Sequence, residues 1–273
     1  MFAATVLALA AAGLHAVWNL LAKRSTDRVT ALSAQFIIGG LIGGAVLLIT
    51  RDLPAAAWAP ALLTAAVHVP YLLLLAYAYE HGDFSVAYPV ARGSGAVLAA
   101  VGGVVLLDDD LSPLGIVAIL TVAFGMWLLG DSATSDQLIT ALTVGVTIAV
   151  YTVNDSRAVR SFGITYPFAA FTAIGFVMGG YVIISGRTSR LMAAPRANWQ
   201  QWAITGAMAV LAYALVMIAV RRAPVGYVAA LRESSVLLAA FLGTRYLAEG
   251  AVRRRTIAAL VILGGLVLLV VAR

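Results

Sequence analysis

Stretches of about 20 apolar residues follow one another along the whole chain, each long enough to cross the ~30 Å hydrocarbon core of a bilayer as a helix. Lipid offers no partner to a backbone N–H or C=O, so a spanning stretch must be a helix or part of a closed barrel. A barrel strand carries polar residues at every second place, and that alternation is absent. Composition agrees with immersion in lipid. Hydrophobic residues make up 62% of the chain, charged residues only 11%, and the mean hydropathy is +0.98. A soluble domain carries roughly 25% charged residues.

The expected fold is therefore an all-α polytopic membrane protein with about ten transmembrane helices. The spans are expected over 2–22, 30–50, 56–79, 84–107, 111–129, 137–154, 166–185, 200–220, 225–247 and 255–272. Turn residues punctuate them at Gly82–Asp83, Ser112–Pro113, Gly130–Asp131, Gly186 and Pro224. The first span lacks a basic flank, exceeds a signal peptide's apolar core in length and contains His15, Trp18 and Asn19, so it is expected to be a retained helix. No connection is long enough to fold separately, which leaves function to the space between helices. The net charge of +6 sits in basic connections such as Lys23–Arg24 and Arg253–Arg254–Arg255. These suit lipid phosphates rather than nucleic acid. The expected partners are the bilayer and a small-molecule substrate, with no nucleic acid and the chain a monomer or homodimer.

The chain also repeats itself. Tyr88-Pro-Val-Ala-Arg92-Gly-Ser94 can be laid on the segment Tyr227 to Ser234. One constant offset of 140 residues carries Arg92 to Arg232, Ser94 to Ser234, Leu98 to Leu238, Gly103 to Gly243, Leu107 to Leu247 and Gly125 to Gly265. A fainter echo relates Trp18–Asn19 to Val153–Asn154. Two halves, 1–130 and 137–273, with five helices each would enter the membrane from opposite sides. That is the inverted-repeat plan of many secondary transporters, whose substrates bind near the midplane where the halves meet.

The two five-helix halves, the run His15-Ala-Val-Trp-Asn-Leu-Leu-Ala-Lys23 and the run Tyr88-Pro-Val-Ala-Arg-Gly-Ser-Gly95 resemble the EamA-type transporters of the drug/metabolite transporter superfamily. The resemblance implies a transporter in a bacterial cytoplasmic (inner) membrane. It also implies that the first, third, fourth, sixth, eighth and ninth spans surround a central cavity, with both termini in the cytoplasm. The positive-inside rule points the other way. Nine basic residues fall on the side of the connections after the first, seventh and ninth spans, and six on the other.

Arg92 and Arg232 lie about seven or eight residues inside their spans, roughly 10–12 Å from the nearer helix end. A charge at that depth costs at least ~2.5–3.5 kcal/mol unless it faces a cavity or a partner. Two readings are open: a structural ion pair with Glu80, Glu233 or Asp155, or a substrate-facing pair of guanidinium forks suited to carboxylate or phosphate. On the second reading the substrate is a small anion or zwitterion such as an amino acid. Tyr88, Tyr227, Ser94 and Ser234 would add neutral hydrogen bonds, and Trp18 and Asn19 on the first span would share the site. His15 would carry a coupling proton or link helices, with Glu80 and Glu233 as further coupling candidates. Small residues at Gly95, Ala99, Ser235 and Ala239 would serve packing or leave room for a ligand.

Other functions lose their requirements. Lys23 is the only lysine, so no Schiff base can form in a late helix. Neither an HExxH motif nor a Walker motif occurs. Asp108–Asp109–Asp110 has no second acidic cluster and is expected to be a solvated turn. No catalytic residue, metal or cofactor is expected. A solute carrier is the main expectation. A flippase for a lipid-linked head group and a non-transporting membrane assembly partner are the alternatives. Helix-1 glutamate, which small multidrug exporters of the same superfamily use to attract cations, has no equivalent here, and this argues against lipophilic-cation export.

Overall fold

A computed structural model describes residues 1–81, 84–130, 134–235 and 252–272, and these are helical throughout with short connections. The helices are α1 (Phe2–Arg24), α2 (Arg28–Thr50), α3 (Trp58–His81), α4 (Phe84–Leu107), α5 (Pro113–Gly130) and α6 (Ser135–Phe162). There follow α7 (Tyr166–Ile184), the short α8 (Thr188–Met192), α9 (Arg196–Val220), α10 (Val225–Arg232) and α11 (Val252–Val271). Seven of the described helices are long and apolar enough to cross a membrane. The expected span 225–247 is seen only in its first part, and its partners in the repeat at Leu238, Gly243 and Leu247 lie outside the described residues.

Local chemistry sets the ends. Asp27 caps α2 by accepting from the Thr30 backbone N–H at 3.0 Å and from its hydroxyl at 2.7 Å. Thr134 and Gln137 form a reciprocal capping box at the start of α6. Gly163 ends α6 at φ 90°, a left-handed conformation that favours a residue without Cβ. Two expectations about the second half are corrected, the first at α6. It runs to Phe162 rather than to 154, because Asp155 and Ser156 find their partners inside the bundle. In addition, α8 occupies what looked like a plain connection.

Small residues decide the packing. A Cβ on Gly40 would stand 2.6 Å from Gly175 Cα, and one on Gly175 would stand 2.7 Å from Gly40 Cα, so α2 and α7 touch backbone to backbone. On the opposite flank α5 meets α11. There a Cβ on Gly125 would meet Ile262 at 2.7 Å, and one on Gly265 would meet Val122 at 2.8 Å. Between these seams α4 packs on α6, α3 on α6 and α7, and α9 on α1 and α2, with α10 wedged against α1 and α4. Leu41, Leu48, Phe176 and Ile184 are among the large apolar side chains left on the outside, as a lipid-facing surface requires.

The two ends of the bundle differ. At one end Asp109, beyond α4, pairs with Arg160 of α6 at 2.8 Å and accepts the Val225 backbone N–H at 2.7 Å. Arg160 also donates to the Val220 carbonyl at 3.0 Å. The expectation of a solvated acidic turn is therefore corrected for Asp109, whose side chain is only 8% exposed. It ties α4, α6, α9 and α10 together. At the other end a polar pocket of about 490 Å³ lies between the α1–α2 connection and the start of α9, bordered by Arg24, Asp27, Arg190 and Gln201.

Candidate substrate cavity

Four charged side chains are buried among the described residues: Arg92, Asp155, Arg232 and Glu233. Formally they sum to zero. Arg92 on α4 grips Glu233, just beyond α10, through Nη2 to Oε1 at 2.6 Å and Nε to Oε2 at 3.2 Å. This two-point geometry is the strongest a guanidinium makes with a carboxylate, and neither side chain is more than 5% exposed. Of the two readings open for Arg92, the structure has its ion pair, and with Glu233 rather than Glu80.

Arg232, next to Glu233 in sequence, lines a small cavity of about 40 Å³. Its other walls include His15 and Trp18 from α1, Phe36 from α2, His68 and Tyr71 from α3, Tyr151 from α6, Phe171 from α7 and Tyr213 from α9. The rings form a connected wall. His68 stands 4.6 Å from Tyr151 and 5.7 Å from Phe36, and Phe171 stands 5.3 Å from Tyr213. Pro70 lies in the same helix turn as His68 and Tyr71, where it withholds one backbone N–H from α3.

The expected site residues divide. His15, Trp18 and Arg232 come together at the cavity, and Trp18 is buried. Asn19 sits just outside, donating to the His15 carbonyl at 2.8 Å and accepting from Tyr79 at 3.0 Å. The Tyr227 hydroxyl meets Thr5 at 2.8 Å, between α10 and α1 and away from the cavity. Ser94 turns its hydroxyl to the Val90 carbonyl of its own helix at 2.8 Å and packs on Gly145. Ser234 is half-buried, and Glu80 is exposed where α3 ends. The side chain of Tyr88 lies outside the described residues.

Asp155 is the residue that sequence reading underrated. It is fully buried and accepts from Thr64 of α3 and Tyr166 of α7, each at 2.5 Å, and from Tyr213 of α9. The Asn154 amide completes the set at 3.2 Å. It was legible only as an acidic residue just past an apparent helix end. Ring residues such as Phe36 and Phe171 had no polar signal at all.

Known proteins add to this picture. A family model described as Small Multidrug Resistance protein matches residues 41–122, from the middle of α2 into α5. A guanidinium exporter from Escherichia coli is 33% identical over 67 residues, which is 24% of this chain. The chain spans 64% of that exporter's length. A solved crystal structure superposes with a TM-score of 0.75 at 20% identity, covering 99% of this chain and 98% of the other. At that identity the likeness concerns the fold alone. The chain is thus similar over its second to fifth helices to small multidrug resistance proteins, and along its whole length it shares the fold of a known structure.

Proposed function

We propose that this chain is a secondary transporter on the EamA-type plan, with halves 1–130 and 137–273, moving a small zwitterionic or anionic metabolite such as an amino acid by alternating access. The observation that carries the reading is Arg232 in a small, ring-walled cavity between the helices. Arg232 takes the substrate's carboxylate. The faces of the Tyr71, Tyr151 and Tyr213 rings take its cationic pole. Arg92 and Glu233 hold the neighbouring backbone in place.

The seams support the two-half plan. The offset that carries Arg92 to Arg232 also carries Gly125 to Gly265 and Val122 to Ile262, and each of these glycines packs on the other half's branched residue. Gly40 and Gly175 face one another in the same reciprocal way. The cavity size supports alternation. About 40 Å³ is small beside the about 300–1,000 Å³ of metabolite pockets, so the cavity has to widen to admit a substrate. The Asp109–Arg160 contact closes one end, and a change of access requires it to part.

A guanidinium-like cation is the second reading, favoured by the exporter relative and by the aromatic wall. Arg232 opposes it, as does the engagement of both buried carboxylates by donors. Proteoliposomes holding the purified chain decide the matter. Uptake of radiolabelled neutral amino acids, unaffected by guanidinium, supports the first reading. Guanidinium movement with no amino-acid uptake replaces it with the second.

A further inference from the structure

Asp155 lies behind the cavity wall, seven residues before α6 ends at Phe162 and so about 10 Å inside the bundle from the Asp109 end. Its partners come from three neighbouring helices and are neutral: the hydroxyls of Thr64, Tyr166 and Tyr213, with the Asn154 amide from its own helix. The same amide donates to Thr64 Oγ1 and to the Pro60 carbonyl, both at 2.9 Å, which fixes the cluster from the α3 side. Among the described residues no Arg, Lys or His forms an ion pair or hydrogen bond with Asp155. An ionisable group in the hydrocarbon layer with donors but no counter-cation is one that a proton can neutralise in place.

One of its donors faces two ways. Tyr213 both bonds Asp155 and lines the cavity that holds Arg232. We propose that Asp155 is a proton-binding site that couples transport to a proton gradient, with Tyr213 as the link between the proton and the substrate cavity. This rests on the transporter reading above. As a carboxylate, Asp155 only accepts hydrogen bonds. On protonation one O–H bond forms on a carboxyl oxygen, that oxygen becomes a donor, and the cluster then holds one donor too many. Thr64 and Tyr166 are enclosed. Tyr213 alone borders the cavity, so its hydroxyl is the one that turns and offers itself to the substrate.

The titratable and charged groups around the cluster are Tyr166 on α7, Tyr213 on α9, Tyr151 one turn back on α6, His68 one turn beyond Thr64 on α3, and Arg232 across the cavity. The other coupling candidates are worse placed. Glu233 is held at two points by Arg92, Glu80 is exposed at the far end, and His15 fronts the substrate itself.

Infrared difference spectroscopy of the full chain in nanodiscs, titrated with acid and without substrate, reads this directly. The expected result is a carboxylic-acid C=O band that appears on acidification in the wild type and is missing in Asp155→Asn. Tyr213→Phe should keep the band but move the pH at which it appears, while His15→Gln should leave it unmoved. If Asp155→Asn does not fold, the Tyr213→Phe shift decides. A band that survives Asp155→Asn, a wild type in which no such band titrates, or a band governed by sodium rather than by pH would overturn the proposal. A titrating band in a chain that moves no amino acid would sink the transport reading and leave the proton site standing.

Discussion

Glu233 and Asp155 are both carboxylates sealed inside an apolar bundle, and they are held in opposite ways. Glu233 meets a guanidinium at two points and forms a neutral unit with Arg92. Asp155 meets three hydroxyls and an amide, none of which cancels its charge. A neutralised pair in a low-dielectric interior resists change, because separating it strands two charges. A carboxylate among neutral donors keeps its negative charge only until a proton arrives. The first arrangement is suited to bracing α4 against the α10 end, and the second to switching.

Breaking the braced unit gives the largest effect. Arg92→Met leaves Glu233 buried without its cation and should cost about 3–5 kcal/mol, read as a fall in melting temperature of the detergent-solubilised chain. The double variant Arg92→Met with Glu233→Leu should recover most of that loss. A single variant that melts like the wild type would mean that the pair does not brace the bundle.

The end contact made by Asp109 is intermediate. Asp109→Asn removes the ion pair with Arg160 and weakens the hold on the Val225 N–H, at a cost of about 1–2 kcal/mol. Because the chain has no cysteine, a lone Val225→Cys gives a clean label for opening at this end. Thiol modification there should speed up when Asp109→Asn is added, and an unchanged rate would show that the contact does not hold this end shut.

Smallest is the exposed counterpart of these buried groups. Partial burial pushes the Asp27 carboxyl up, but hydrogen bonds from Thr30 and the charges of Arg187 and Arg190 outweigh it and hold it below the ordinary carboxylate range. A lowered value stabilises the fold above the unfolded-state value, and that contribution fades as pH falls through the folded one. Asp27 is 38% exposed, so solvent screens the gain to under about 1 kcal/mol. Melting curves of Asp27→Asn and wild type should lie slightly apart at neutral pH, converge in acid, and approach each other in high salt.

The fold was largely legible in the sequence because lipid imposes one rule on every span: apolar for about 20 residues and helical. The rule also explains the main error. Asn154-Asp-Ser-Arg reads as the place where a helix leaves the membrane, yet α6 continues through it, since Asp155 and Ser156 find partners inside. Arg92 and Arg232 stood out as charges in apolar spans, but that Arg92 holds Glu233 depends on the turn that ends α10 and is a fact of tertiary geometry. The rings of Phe36, Phe171 and Tyr213 come from three spans with nothing in common but apolar spacing. Only packing joins them.

Uptake of radiolabelled neutral amino acids into proteoliposomes, wild type against Arg232→Lys, decides whether Arg232 holds the substrate. Lysine keeps the charge but loses the planar fork. Uptake should fall about tenfold or more, as expected for losing ~1.5–3 kcal/mol of charged hydrogen bonding, while the melting temperature stays close to the wild type. Uptake in Arg232→Lys equal to the wild type, with both chains equally folded, would contradict that role.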